Sequence, residues 1–181
     1  MVDYKAIIDK YYPADSPLRD IYLRHCHQVS DMALEIARKL SLPLDLNEVE
    51  AAAMLHDIGI FLTDAPGIHC HGAEPYIRHG VLGADLLRRE GTPESWARVA
   101  ERHTGSGLTV DEIISQNLPL PHQDYLPETV LERLICYADK FYSKSVVDKG
   151  RKPMEKVEAS MARFGQPALL RFLKLKEEFG V

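Results

Sequence analysis

Apolar residues recur every three or four positions along this chain, and convincing alternation of apolar and polar residues is lacking. The pattern therefore predicts helices joined by loops, an all-α fold. Tyr4, Ile7, Ile8 and Tyr11 form one face of a first helix that Pro13 stops. Ser16 before Pro17 supplies an N-cap and a first-turn proline for a long helix reaching about Ser41. Asn47 and Glu50 have capping-box spacing ahead of an alanine-rich helix that runs into His56 and Asp57, with Gly59 where it should end or bend. Another helix is expected from near His79 to before Gly91. The next is capped by Thr92, opened by Pro93 and closed at His103, with Gly105 just beyond. Further helices are expected over about 128–145, 153–164 and 167–179, parted by Gly150 and Gly165.

Two segments break the pattern. Residues 116–128 are punctuated by proline, and residues 63–78 (TDAPGIHCHGAEPYIR) read as a loop. A loop of that length inside a compact domain is either functional or hides elements that the pattern does not reveal. No repeat, low-complexity tract or linker interrupts the chain, and 181 residues suit one domain spanning 1–181.

Composition narrows the function. With 45% hydrophobic and 27% charged residues the chain has the balance of a soluble globular protein. A net charge of -5 argues against an extended nucleic-acid surface, so no nucleic-acid partner is expected. The first residues, MVDYKAIIDKYYPADS, lack the features of a secretory signal, and no stretch approaches the ~20 apolar residues that span a bilayer. Cys26, Cys70 and Cys136 are odd in number and far apart, which suits a reduced compartment. The expected location is the cytoplasm, with no membrane association.

The histidines carry the candidate chemistry. On the helix from Pro17, Val29, Met32, Ala33, Ile36 and Leu40 lie within roughly 80° of His25, whereas His27 points roughly 160° away with Asp31, Leu34 and Arg38. His25 therefore faces the core and His27 the outside. His56-Asp57 closes the apolar run Ala51-Ala52-Ala53-Met54-Leu55, where a buried aspartate needs a cation to offset its charge. His79 shares a face with Leu82, Leu86 and Leu87, and Gly80 and Gly83 leave room for close helix packing or metal approach. His103 ends the apolar face of Trp96, Val99 and Ala100, and Asp139 follows Leu131, Leu134, Ile135 and Ala138. Each position taken alone has a structural alternative. Together, four histidines and two aspartates on inward faces or ends of five helices favour a metal site.

The order His25, His56-Asp57, His79, His103, Asp139 resembles the signature of the HD superfamily of metal-dependent phosphohydrolases. Leu55-His56-Asp57-Ile58-Gly59, His79-Gly80 with Gly83-Ala84, His103-Thr104-Gly105 and Tyr137-Ala138-Asp139-Lys140 match it, over roughly residues 20–145. The helices over 150–181 lie outside the match. The added His79 and His103 resemble the dinuclear branch, which includes symmetrical diadenosine tetraphosphate hydrolases. The resemblance implies a compact helical bundle in which His25, His56 and Asp139 hold one divalent transition-metal ion. His79 and His103 would hold a second, with Asp57 bridging them. Iron or manganese suits this donor set first, then cobalt, nickel or zinc. It further implies that a metal-bridging hydroxide cleaves a phosphate ester or phosphoanhydride, with a small phosphorylated molecule, a nucleotide above others, as substrate.

His56, Asp57 and Lys140 are the catalytic candidates, and Arg78, Arg102, Lys140 and Lys144 are candidates to bind the phosphate, Lys144 lying one helical turn past Lys140. For Arg102 and Lys144 the ordinary alternative is a solvated cation, which is also the expected reading of Lys149, Arg151, Lys152 and Lys156. Tyr76 and Arg78 are the members of the 63–78 loop best placed to touch substrate, and a surface loop is the competing reading. His69-Cys70-His71 cannot complete a tetrahedral metal set, and His122 carries no assigned role. Two other functions stay open: a di-iron oxygenase of the same superfamily, and a non-catalytic nucleotide-binding module. The helices after Gly150 either pack on the core or form a homodimer contact.

Overall fold

The computed structural model describes residues 2–145 and 150–180. Helix starts follow local side-chain chemistry. The Asp3 carboxylate accepts the Lys5 N–H at 2.9 Å to open α1 (Tyr4–Tyr11), which buries Ile7 and Ile8. Ser16 accepts the Arg19 N–H at 3.1 Å to open α2 (Pro17–Lys39), as its sequence position indicates. Helix α3 (Leu46–Leu55) departs from expectation. Its cap is Asp45, which accepts the Asn47 N–H at 2.8 Å, so the Asn47–Glu50 capping box does not form. Glu50 instead accepts the Tyr4 hydroxyl at 2.6 Å and ties α1 to α3.

Helices α4 (His79–Arg89) and α5 (Glu94–Arg102) follow. Thr92 does not cap α5. Its hydroxyl donates to the Leu87 carbonyl at 3.0 Å, satisfying the end of α4, and Pro93 occupies the cap position. A short helix α6 (Val110–Ser115), absent from the sequence reading, carries a full capping box between Thr109 and Glu112. The same device, Thr129 with Glu132, opens α7 (Val130–Asp139). Helix α7 ends at Asp139, short of the expected 145, so Lys144 lies on irregular chain beyond it. Helices α8 (Met154–Ala162) and α9 (Gln166–Phe179) complete the described bundle.

The 63–78 segment is largely structured. Strand β1 (Thr63–Ala65) pairs antiparallel with β2 (Cys70–His71) and parallel with β3 (Glu74–Pro75), in the order β2-β1-β3. Strands of two or three residues are too short to leave a period-2 signal. Short 3₁₀ turns at Ile60–Leu62, Pro66–Ile68 and Tyr76–Arg78 link them to the helices. At Gly72 a Cβ would stand 2.1 Å from the Leu62 carbonyl, so only glycine lets the strand pass there.

Helices α2 and α3 pack as one pair, α4 and α5 as another, and α7 lies against α2, α3, α5 and α9. Two glycine contacts bring α3's end, α4 and α5 together. A Cβ on Gly59 would lie 2.5 Å from the Gly83 nitrogen, and one on Gly80 would lie 2.6 Å from the Ala100 carbonyl. Gly80 and Gly83 therefore serve backbone packing. Tyr137 stacks on Phe172 at 5.7 Å and meets Phe179 at 5.9 Å, so α9 closes over α7 as part of the same core. Among the described residues, no helix is long and apolar enough to cross a membrane.

Candidate metal centre

Three of the four histidines arrive by one local device. His56 stands at the end of α3, His103 at the end of α5, and His79 just after a 3₁₀ turn. In each, Nδ1 lies against the carbonyl three residues back: His56 on Ala53 at 2.6 Å, His79 on Tyr76 at 2.7 Å, His103 on Ala100 at 2.7 Å. A carbonyl can only accept, so Nδ1 carries a proton in each ring and Nε2 is the atom directed into the site. The carbonyl three residues back thereby orients each ring plane. His25 comes from the middle of α2, buried as its helical face requires, and His27 on the opposite face is exposed.

The turn carrying His56-Asp57 is braced by two fully buried tyrosines whose rings stack at 4.2 Å. Tyr22 donates its hydroxyl to the Met54 carbonyl at 2.5 Å, and Tyr12 donates to that of Ile58 at 3.0 Å. Sequence reading missed both tyrosines, because nothing local marks a hydroxyl that will reach a carbonyl over thirty residues away.

All six expected residues converge, and they do so as two groups that share Asp57. His25, His56, Asp57 and Asp139 form one, and Asp57, His79 and His103 the other, each with donor atoms within 4.8 Å of one another. Asp57 Oδ2 lies 3.2 Å from His25 Nε2 and 3.1 Å from His56 Nε2. Asp57 Oδ1 lies 3.5 Å from His79 Nε2 and 3.4 Å from His103 Nε2. Asp139 Oδ1 is 2.9 Å from His25 Nε2. Asp57 Oδ1 is fully buried without a hydrogen-bond donor, and Oδ2 has the Lys144 ammonium beside it. The Nε2 atoms of His79 and His103, each left with a lone pair, face each other at 3.0 Å. Two imidazole lone pairs and the bare Oδ1 of Asp57 aimed at one another repel unless a cation lies among them, so these residues fit divalent metal binding.

Burial drives the ring of His79 down to about 3, helped by His103, and burial likewise lowers His103. Burial would raise Asp57, but Lys144 and His56 outweigh it and hold the carboxyl well below its usual range. Asp139 is likewise held low by Lys140 and Lys144 against its burial. The second group is thus a pair of neutral imidazoles at physiological pH.

Two lysines join the site. Lys144 places Nζ 2.7 Å from Asp57 Oδ2, and Lys140 sits 2.6 Å from Asp139 Oδ2 while donating to the His103 carbonyl at 2.9 Å. Both line a cleft of about 520 Å³, together with Asp139, Ser143, Lys152 and Tyr76. Lys152, expected as a solvated cation, is half-buried there because its ammonium donates to the carbonyls of Lys140 and Tyr142. The two expected arginines are held elsewhere. Arg78 pairs with Glu74 at 2.7 Å, and Arg102 donates to the Leu126 carbonyl at 2.7 Å and lies 3.5 Å from Glu128. Arg78 has an acidic partner four residues back, whereas the carbonyl that holds Arg102 lies 24 residues on, where sequence position does not reveal it. His69, His71 and His122 are exposed and outside both groups. Lys149 lies outside the described residues.

Residues 22–143 match the family model described as HD domain, and the chain belongs to that family. It is 37% identical over 164 residues to an uncharacterized protein of Methanocaldococcus jannaschii, covering 86% of each. It is also 34% identical over 159 residues to a tRNA (cytidine(56)-2'-O)-methyltransferase of Picrophilus torridus, covering 88% of this chain and 41% of that protein. A methyltransferase of the same name from Thermoplasma volcanium is 36% identical, with 74% of this chain and 37% of that protein covered. The chain thus spans about two fifths of the length of these methyltransferases. Among solved structures, the HD domain of the L. monocytogenes phosphodiesterase PgpH shares the fold, with a TM-score of 0.57 and 17% identity over 99% of this chain and 86% of that one. The same domain solved with cyclic-di-AMP gives a TM-score of 0.55 at 17% identity, covering 98% of this chain and 84% of that one.

Proposed function

We propose that this protein is a metal-dependent phosphohydrolase acting on a phosphate ester or phosphoanhydride of a nucleotide. The observation that carries the reading is the pair of ligand groups meeting on opposite oxygens of one buried carboxylate, Asp57. His25, His56 and Asp139 would hold one divalent ion, His79 and His103 the other, with Asp57 shared. A donor set of imidazole and carboxylate without thiolate suits iron or manganese. Such ions, when bound, lower the pKa of a water and offset the charge that builds on phosphate oxygens.

The protein's own charges favour an anionic substrate. Asp57 and Asp139 are matched by Lys144 and Lys140, so the site is already near neutrality before any ion enters. Divalent ions would then make the cleft strongly positive, which attracts phosphate and repels cations. Lys140 would orient a phosphate oxygen while holding Asp139 in place, and Lys144 and Lys152 would add charge along the cleft. Tyr76, stacked on His79 at 4.7 Å, would shield the second ligand group from water.

The methyltransferase names leave this reading in place. A 159-residue alignment in a chain of 181 must run across residues 25 to 139, so the shared stretch is the one bearing the histidine–aspartate set. Methyl transfer would belong to the remaining three fifths of those longer proteins. The phosphodiesterase name of the fold neighbour and its complex with cyclic-di-AMP accord with phosphate-ester chemistry on this scaffold.

The test is metal analysis of protein purified without added metals, joined to anaerobic hydrolysis assays on a panel of nucleotides and phosphate esters. About two ions per chain with phosphate release that survives exchange of iron for manganese is the expected result. Two irons with no hydrolysis would replace this reading by oxygen chemistry. Tight nucleotide binding without turnover would replace it by a binding module.

A further inference from the structure

A second cavity, of about 320 Å³, opens beside the histidine–aspartate set and, unlike the cleft, has no lysine in its lining. Its walls are mainly apolar: Tyr76, Ile77, Leu108, Leu118, Phe164 and Ala168. His79 and Gly105 bring it to the edge of the histidine–aspartate set. Tyr76, Gly105 and Phe164 also line the cleft, so the two spaces share a border. The volume falls within the roughly 300–1,000 Å³ of small-molecule sites.

Several features show that the cavity is held open by structure. Its outer wall is α6 and the chain around it, which form a small core of their own from Ile113, Leu120 and Tyr125, packed with Ile77 and Leu108. Arg171 closes the inner end, donating to the carbonyls of Ser106 and Gly107 and pairing with Glu112 at 2.8 Å. The charged groups at that end are thus occupied by each other, which leaves the walls to apolar contact. Gly105, at the border, adopts φ +59, and a Cβ there would meet nothing within 4 Å. Phe164, with 63% of its surface exposed, lines both the cavity and the cleft, so its ring is available to a ligand that enters there. Gln116 at the rim is exposed, and its amide makes no hydrogen bond among the described residues, so it offers a donor and an acceptor to whatever enters.

We infer that this cavity receives the nucleobase of the substrate, with Phe164 and Tyr76 against its faces, while the phosphate lies in the adjoining lysine-lined cleft. An apolar slot with aromatic rings at its mouth and one free amide suits a flat heteroaromatic ring better than a sugar or a lipid chain. Its position fixes the order of groups: ring beyond His79 and Gly105, phosphate over Asp57 and Asp139. The inference rests on the phosphohydrolase reading for the cleft, and the experiment separates the two.

Calorimetric titration of the manganese-loaded protein with AMP and with ribose 5-phosphate compares ligands that differ by the base. AMP is expected to bind at least about tenfold more tightly. Phe164→Ala, at an exposed position that the core does not need, should bring AMP affinity down by about fivefold or more, with a clearly smaller change for ribose 5-phosphate. Ala168→Leu, which fills the cavity from α9, should do the same, with a thermal melt confirming that the variant folds. Equal affinity for the two ligands, binding of neither, or AMP affinity untouched by both variants would overturn the assignment. A base preference in a protein that hydrolyses no phosphate ester would leave the cavity assigned and remove the hydrolase reading. Hydrolysis without a base preference would do the reverse.

Discussion

At the scale of the residue, the site depends on two decisions: which way an imidazole is protonated and how a carboxylate is shared. His56, His79 and His103 each surrender Nδ1 to a carbonyl three residues back, so each presents Nε2 inward. Asp57 meets two histidines on each oxygen. Removal of the shared carboxylate should therefore differ from removal of one imidazole. On the proposed two-ion reading, Asp57→Asn is expected to lose both metal ions and His79→Ala one, as read by metal analysis of each purified variant; equal losses would mean that Asp57 is not shared. On α2, His25→Ala should lower activity at least about a hundredfold, and His27→Ala should be nearly silent. Comparable losses in that pair would reverse the assignment of faces.

At the scale of the element, close backbone contact and helix caps position those residues. The turn after α3 can approach α4 only because Gly59 lacks a side chain: a Cβ would stand 2.3 Å from the His79 carbonyl. Gly59→Ala should destabilise the protein by about 1–3 kcal/mol in urea unfolding and weaken metal retention as well, since the displaced backbone belongs to His79. A variant of wild-type stability would mean that the contact yields easily. Helix α7 is fixed by Glu132, which is 2% exposed and meets Arg98 at 2.7 Å across to α5. Burial pushes the Glu132 carboxyl up, but Arg98 and the N–H groups of Glu128 and Thr129 outweigh it and hold it below its ordinary 4.5. A carboxyl depressed in the folded state stabilises above its unfolded value, and that contribution fades as pH falls through 4.5 to the folded value. Glu132→Gln should accordingly cost about 1–3 kcal/mol at neutral pH, with the gap to wild type narrowing below about pH 4. A gap independent of pH would assign the loss to packing instead of charge.

At the scale of the whole molecule, the candidate ligands arrive on α2, the ends of α3 and α5, the start of α4 and the end of α7, so each ligand group ties together three elements and the two groups together five. A ligand present at a hundred times its Kd stabilises the folded state by about 2.7 kcal/mol. For a chain of this size that corresponds to a fall in Tm of about 5–10 °C on chelation. A melt insensitive to chelator would indicate that the ligand groups close without metal.

Much of this was legible along the chain. The 3.6-residue period of α2 set His25 inside and His27 outside, because burial on a lone amphipathic helix follows directly from spacing. The same local logic located Ser16 at a helix start and placed His56, His79 and His103 at helix ends. Local patterns misled where two neighbours compete for one role: Asp45 took the cap expected of Asn47, and Thr92 served α4 instead of α5. The sequence by itself determined the helical class, the inward histidines and aspartates, and the family resemblance, since each depends on residue type and short spacing. Only the tertiary structure decided that Arg102 turns to Leu126, that Lys144 and Lys152 face the cleft, and that Tyr12 and Tyr22 brace the His56-Asp57 turn. The physical reason is reach: a long side chain on irregular backbone finds its partner through space, and the partner's position is set by helices distant in sequence.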